Sequence, residues 1–235
     1  MIPLKKISKK TYYQLIIEFI LIIIGVFSAL TVDNFREQYQ ESQRELEYLR
    51  ALKSAVQDDT AAIKNDVYQL FQKQKSIEQI LSILEKHEKI ETEKFQSSMM
   101  NVLMTLDLIF NTSVYEELKY TGNLRLISNE TLKNSIINYY LFMDHFMLLN
   151  QQTEDNIINS IDPDIIDAID LKEWTLKQPF SQDKILANIE NNKALKEKLK
   201  RNVYFLSAKK NGLIYSCLPR SLELLEKINF ELENK

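Results

Sequence analysis

The side chains able to do chemistry are few and scattered. The two histidines, His87 and His145, sit in no metal-ligand pattern, and Asp144 and His145, being adjacent, leave a helix in different directions. Cys217 is the only cysteine, so neither an intrachain disulfide nor a Cys-based zinc site can form. Acids cluster at Asp58-Asp59 and at Asp162-Pro163-Asp164, followed by Asp167 and Asp170. The second cluster has ligands suited to a hard cation but lacks the glycine and alternate-position spacing of an EF-hand. Acids after Pro163 suit a helix N-terminus equally well. No Walker loop, dinucleotide fingerprint, nucleophile elbow or HExxH occurs. The expectation is a non-enzyme with no cofactor and no metal site. The best candidate constellation is Tyr115, Tyr120, Gly122, Arg125, Tyr139 and Tyr140, which could line a small inter-helix pocket. The plainer reading is that Tyr115 and Tyr139 pack a helix-turn-helix corner, with Gly122 supplying a left-handed backbone.

The elements that would hold these groups are helices. Only 3 Gly and 4 Pro occur in 235 residues, and sheet-rich folds need many turns built from both. Residues 34–88 are the most periodic part. Leu49, Val56, Ile63, Leu70, Ile77 and Leu84 repeat every seventh position, while a second seam of Leu46, Val67 and Leu81 is interrupted by Lys53, Thr60 and Gln74. One whole seam and one flawed seam predict a long helix packed in a bundle rather than a free two-stranded coil. His87–Glu93 reads as the first connection, and Thr92 as the N-cap of a second helix through Phe110. Ser113 and Glu116 have capping-box spacing for a short helix to Tyr120, ended by Gly122. Ser128-Asn129 cap a long helix to Ile161, and Asp162-Pro163 opens a short one. Trp174–Gln182, with Pro179, reads as a loop. Ser181 starts another helix, and residues 193–233 form the last, broken or kinked at Gly212 and Pro219. The expected fold is all-α: a single N-terminal transmembrane helix, a long-helix stalk and an antiparallel helical bundle.

That transmembrane helix is the segment Tyr12–Val32, YYQLIIEFILIIIGVFSALTV, whose one ionisable group is Glu18. As a helix it spans roughly 30 Å, the thickness of the hydrocarbon core. A signal peptide would have a shorter apolar region with small residues at its cleavage site; Ser28-Ala29-Leu30 is only weakly suggestive of one, and the chain continues as helix-forming sequence with no turn signal. Lys5, Lys6, Lys9 and Lys10 precede the span and, with Tyr12 and Tyr13, form its flanking anchors. The positive-inside rule then places residues 1–11 in the cytoplasm and residues 33–235 on the far side, the periplasm of a two-membrane bacterium. The domains are thus a basic tail (1–11), an anchor (12–32), a stalk (33–90) and a bundle (91–235). Glu18, Ile22, Gly25 and Ala29 fall within about 40° either side of Glu18 on one helix face. Gly25 and Ala29 permit close helix approach, and a carboxyl group avoids lipid, so this stripe predicts self-association. Snorkelling of Glu18 to the inner interface, helped by Gln14, is the alternative.

Two segments resemble a known family. IEFILIIIGVFSALTVDNF is similar to the anchor, and SVYEELKYTGNLRLISNETLKNSIINYY to the central motif, of uncharacterised single-pass membrane proteins common in Bacteroidota. Matching positions are Glu18, Gly25, Ala29, Leu30 and Asn34, then Tyr115, Leu118, Gly122, Leu124, Ile127, Leu132, Ile136, Tyr139 and Tyr140. Departures from the family pattern are Ile17, Asp33, Phe35 and Tyr120-Thr121. The resemblance covers the anchor, the start of the stalk and the middle, not residues 150–235. It implies topology and origin, and no activity.

Net charge is −3 with both signs interleaved, unlike the basic stripe of a nucleic-acid binder. The partners expected are membrane lipid, further copies of the chain and an unidentified protein. The expected function is a non-enzymatic, inner-membrane-anchored helical scaffold or interaction protein. Alternatives are an oligomeric ion channel or membrane-disrupting effector, as in phage defence, with Glu18 in its pore or helix interface, and a periplasmic ligand sensor.

Overall fold

In the computed structural model the described residues are 9–86, 89–169 and 181–235. Lys5, Lys6, His87, Asp170 and residues 174–180 of the expected Trp174–Gln182 loop lie outside them, as do the side chains of Lys9, Lys10, Tyr12 and Tyr13. Every element among the described residues is helical. The chain forms two units, residues 1–48 and 49–235.

Helix α1, Lys9–Lys86, contributes to both units. The sequence has no proline inside it and only Gly25, and that scarcity of breakers is why it continues for 78 residues. In the first unit the apolar stretch that begins at Ile17 is uncovered: Phe19, Leu21, Ile22 and Phe27 are each more than 60% exposed. In the second unit the heptad seam is the core. Leu49, Val56, Ile63, Leu70 and Ile77 have no exposed surface and Leu84 only 4%. The flawed seam is buried less evenly, with Thr60 and Leu81 buried but Lys53, Val67 and Gln74 only partly so.

Helix α2, Thr92–Leu103, starts one residue past Glu91 and stops well short of the expected Phe110. Met104 has φ −67° and ψ 124°, and the chain runs non-helical to Thr112. Over this stretch Leu106, Leu108 and Phe110 are buried while Thr105, Asp107 and Ile109 are exposed. That is the period of two of an extended chain, not the 3.6 of a helix. Helix α3, Ser113–Tyr120, follows, and Gly122 at φ 72° turns the chain into a 3₁₀ turn, Asn123–Leu126. Asn129 then caps α4, Glu130–Ser160, its side chain accepting a hydrogen bond from the Leu132 N–H. Helix α5 is Asp162–Ile169, and α6, Gln182–Asn191, is capped by Ser181.

Helix α7, Lys193–Gly212, passes through a π-helical turn, Leu213–Cys217, into α8, Leu218–Glu233. Pro219 has no N–H and its ring crowds the carbonyl four residues back. The wider turn absorbs this without ending the helix, with the Leu218 N–H bonding the Leu213 carbonyl. Gly212 serves packing instead of breaking the helix, since a Cβ there would lie 2.8 Å from the Phe146 ring of α4. Hydrogen bonds fix the directions. Asn129–Glu231, Ser135–Lys227, Tyr139–Ser221 and Glu154–Lys209 run antiparallel along α4 and α7–α8.

Candidate functional site: a strap held by buried charges

The extended strap, residues 104–111, poses a problem of backbone satisfaction. Its inner face lies against an apolar core, and a buried N–H or C=O without a partner costs about 1–3 kcal/mol. Apart from the Met104 N–H, which bonds the Asn101 carbonyl of α2, neither a helix nor a neighbouring strand supplies those partners. Four side chains from the surrounding helices do so for Met104, Leu106 and Asn111. Lys73 of α1, 2% exposed, donates its Nζ to the Met104 carbonyl at 2.6 Å. Glu154 of α4 accepts the Leu106 N–H at 3.2 Å, and Lys209 of α7 donates to the Leu106 carbonyl at 2.7 Å. These two side chains also pair with each other at 3.2 Å, each about 5% exposed. Together they occupy the place a neighbouring strand would take, one accepting and one donating on the same residue. Asp59 of α1 closes the far end, its Oδ1 accepting the Asn111 N–H at 2.6 Å.

Asp59 is also the centre of the tyrosine cluster. Its Oδ2 accepts the Tyr139 hydroxyl at 2.7 Å, and that hydroxyl lies 3.2 Å from Ser221 Oγ of α8. Tyr140 stacks on Tyr115 with centroids 4.4 Å apart and planes 9° from parallel, and meets Tyr139 edge-on at 5.0 Å. Both are geometries aromatic pairs favour. The Tyr140 hydroxyl is buried with no hydrogen-bond partner among the described residues. Burial pushes the Asp59 carboxyl above its ordinary range, against the opposing effect of its two hydrogen bonds. Burial likewise pushes both phenols, Tyr139 and Tyr140, well above theirs.

Of the six residues expected around a pocket, the structure brings three together. Tyr115, Tyr139 and Tyr140 are buried against one another as packing. Gly122 makes the turn its type suggested, with open space around its Cα. Tyr120 is 80% exposed, with the Lys119 ammonium over its ring, and Arg125 is exposed. Tyr139 faces a cleft of about 190 Å³ between α4 and α8, beside Ser135, Arg220 and Lys227. In the other unit Glu18, Ile22 and Ala29 are exposed and Gly25 has nothing within 4 Å of an added Cβ. Of the two acid clusters, Asp59 works as an acceptor for strap and tyrosine, and Asp164 is in an ion pair with Lys198 at 2.6 Å. No group of three or more potential metal ligands occurs among the described residues.

Lys73, Glu154 and Lys209 were not among the residues singled out from sequence, though a signal existed. Lys73 lies three after Leu70 and four before Ile77, both fully buried. Glu154 precedes Ile157 by three, and Lys209 follows Leu206 by three and precedes Leu213 by four. A charge at the spacing of an apolar seam points inward. What the arrangement does chemically is hold backbone. Comparison with protein-family models, with curated proteins and with solved structures finds no match for this chain.

Proposed function

We propose that this protein is a non-enzymatic, single-pass scaffold of a bacterial inner membrane, anchored by residues 12–32 and self-associating through that helix. Residues 33–235 then form a periplasmic antiparallel helical bundle that binds other proteins. The resemblance to the Bacteroidota anchor and central motif agrees with this reading. The observation that carries it is the bare apolar stretch of α1. Among the described residues one helix is long and apolar enough to cross a membrane, and none of its apolar window is buried. A core helix of equal composition would be covered by its own chain. Large apolar side chains left in water cost roughly 1.5–3 kcal/mol each, so this stretch needs another cover. Hydrocarbon is the cover its length fits.

The stripe Glu18, Ile22, Gly25 and Ala29 gives the self-association face. Crosslinking in native membranes should give a ladder of oligomers that Gly25→Leu collapses toward monomer. A carbonate-extractable protein, or a ladder indifferent to Gly25→Leu, contradicts the proposal. Glu18 favours one second reading, an oligomeric channel or membrane-disrupting effector with this carboxyl in its pore. Overexpression would then depolarise cells, and Glu18→Ala would abolish the effect. An intact membrane potential removes that reading and leaves the scaffold standing.

A further inference from the structure

The strap is an extended segment with one edge only partly used. In an extended chain a residue turns its N–H and C=O to the same edge, and residues two apart share that edge. Leu106 turns both groups toward Glu154 and Lys209. Leu108 therefore presents its own pair along the same edge, and no hydrogen bond joins the backbone of residues 107–110 to any described residue. A groove of about 490 Å³ opens there, between the strap and α4, with Met147, Ile158 and Leu108 as its apolar lining. Its charges are unbalanced. Glu154 is neutralised by Lys209, but Asp107 and Asp155 also line the groove and neither is in an ion pair among the described residues. Ile109, 75% exposed, stands beside them.

We propose that this groove binds an extended peptide segment of a partner protein as an added strand on the strap, with apolar and basic residues alternating along it. Backbone hydrogen bonds to Leu108 supply the register, apolar side chains enter between Met147 and Ile158, and basic ones reach Asp107 and Asp155. This is strand addition on an otherwise helical protein. The Glu154–Lys209 pair contributes by holding the strap extended before the peptide arrives, which lowers the ordering cost of binding. The groove is independent of the anchor: the strap, α4 and Lys209 all lie in the second unit, and peptide binding there does not depend on whether residues 12–32 cross a bilayer.

The test uses the full chain in nanodiscs of zwitterionic lipid and the blocked peptide Val-Lys-Val-Lys-Val, followed by fluorescence anisotropy. Two N-methylated forms, one methylated at the valines and one at the lysines, each remove the donors of a single edge. The expected result is a loss of about tenfold in affinity for one form and little change for the other, since about 1.4 kcal/mol is tenfold. Loss in both, or in neither, overturns the proposal. The glutamate counterpart, Val-Glu-Val-Glu-Val, should bind about tenfold more weakly than the lysine peptide, and D107N together with D155N should erase that difference. Equal binding of the two peptides to the unmodified protein would also overturn it.

Discussion

Tyr139 and Tyr140 are neighbours in sequence with opposite hydroxyl environments, and removing one oxygen atom from each separates packing from hydrogen bonding. The Tyr139 hydroxyl is bonded to Asp59, a buried carboxylate that would otherwise keep only the Asn111 N–H. Tyr139→Phe should destabilise the protein by about 1.5–3 kcal/mol, the range for hydrogen bonds to charged groups. The Tyr140 hydroxyl has no partner among the described residues, so Tyr140→Phe keeps the stacked ring and should be neutral or stabilising by about 1 kcal/mol. Thermal unfolding of the two variants checks both signs, and equal losses would mean that the Asp59 bond contributes nothing. Asp59 gives a pH dependence as well. Its carboxyl is raised by burial above the unfolded value, so the folded protein takes up its proton first as pH falls. Its ionised form therefore penalises folding at neutral pH, and the penalty fades as pH drops through the folded value toward 3.8. Relative to D59N, the wild-type chain should gain stability between pH 7 and pH 4 in chemical unfolding; a gap constant with pH would contradict the shift.

The elements differ in how far the sequence exposes them. The seam from Leu49 to Leu84 was readable because one face of α1 is buried at every seventh residue over that whole stretch. Asn129, Ser181 and Gly122 were readable because capping and left-handed turns depend on local chemistry. The strap was not read as extended, since MMNVLMTLDLIF has the composition of a helix and its period-two burial covers only Leu106, Leu108 and Phe110. The charges that hold it come from three distant parts of the chain, and only the fold brings them to one place. That convergence sets the energetics of the clamp. Lys209→Met leaves a buried Glu154 and the Leu106 carbonyl without their donor, a change that typically costs about 3–5 kcal/mol. For an isolated buried pair, replacing both partners with apolar residues often recovers that loss. Here Glu154→Leu with Lys209→Met should not recover it, because the Leu106 N–H and C=O would both stay buried unpaired, at about 1–3 kcal/mol each. Urea unfolding of the single and double variants measures the difference, and a double variant as stable as wild type would show that the pair serves itself and not the strap.

At the scale of the whole molecule, Cys217 makes topology measurable without first altering the protein. It is the only cysteine, it has no exposed surface, and burial pushes its thiol up to about 12. A buried thiol that stays protonated reacts poorly with maleimides, because the thiolate is the nucleophile. The unmodified chain should therefore remain unlabelled by a membrane-impermeant maleimide while folded and become labelled once in denaturant. Against that silent background a single introduced cysteine reports its own side of the bilayer. In the proposed topology, with residues 1–11 inside and residues from 33 onward outside, Lys6→Cys should label only after the inner membrane is permeabilised. Glu37→Cys and Arg125→Cys, at exposed positions, should label in intact spheroplasts. The sign depends on the four N-terminal lysines, so replacing Lys5, Lys6, Lys9 and Lys10 with Gln should weaken the preference and bring part of Glu37→Cys under protection. Labelling of Lys6→Cys in intact spheroplasts, with Glu37→Cys protected, would reverse the topology. Labelling of both would place the whole chain outside the cytoplasm and end the single-pass reading, while the core around Asp59 and the strap would stay as described.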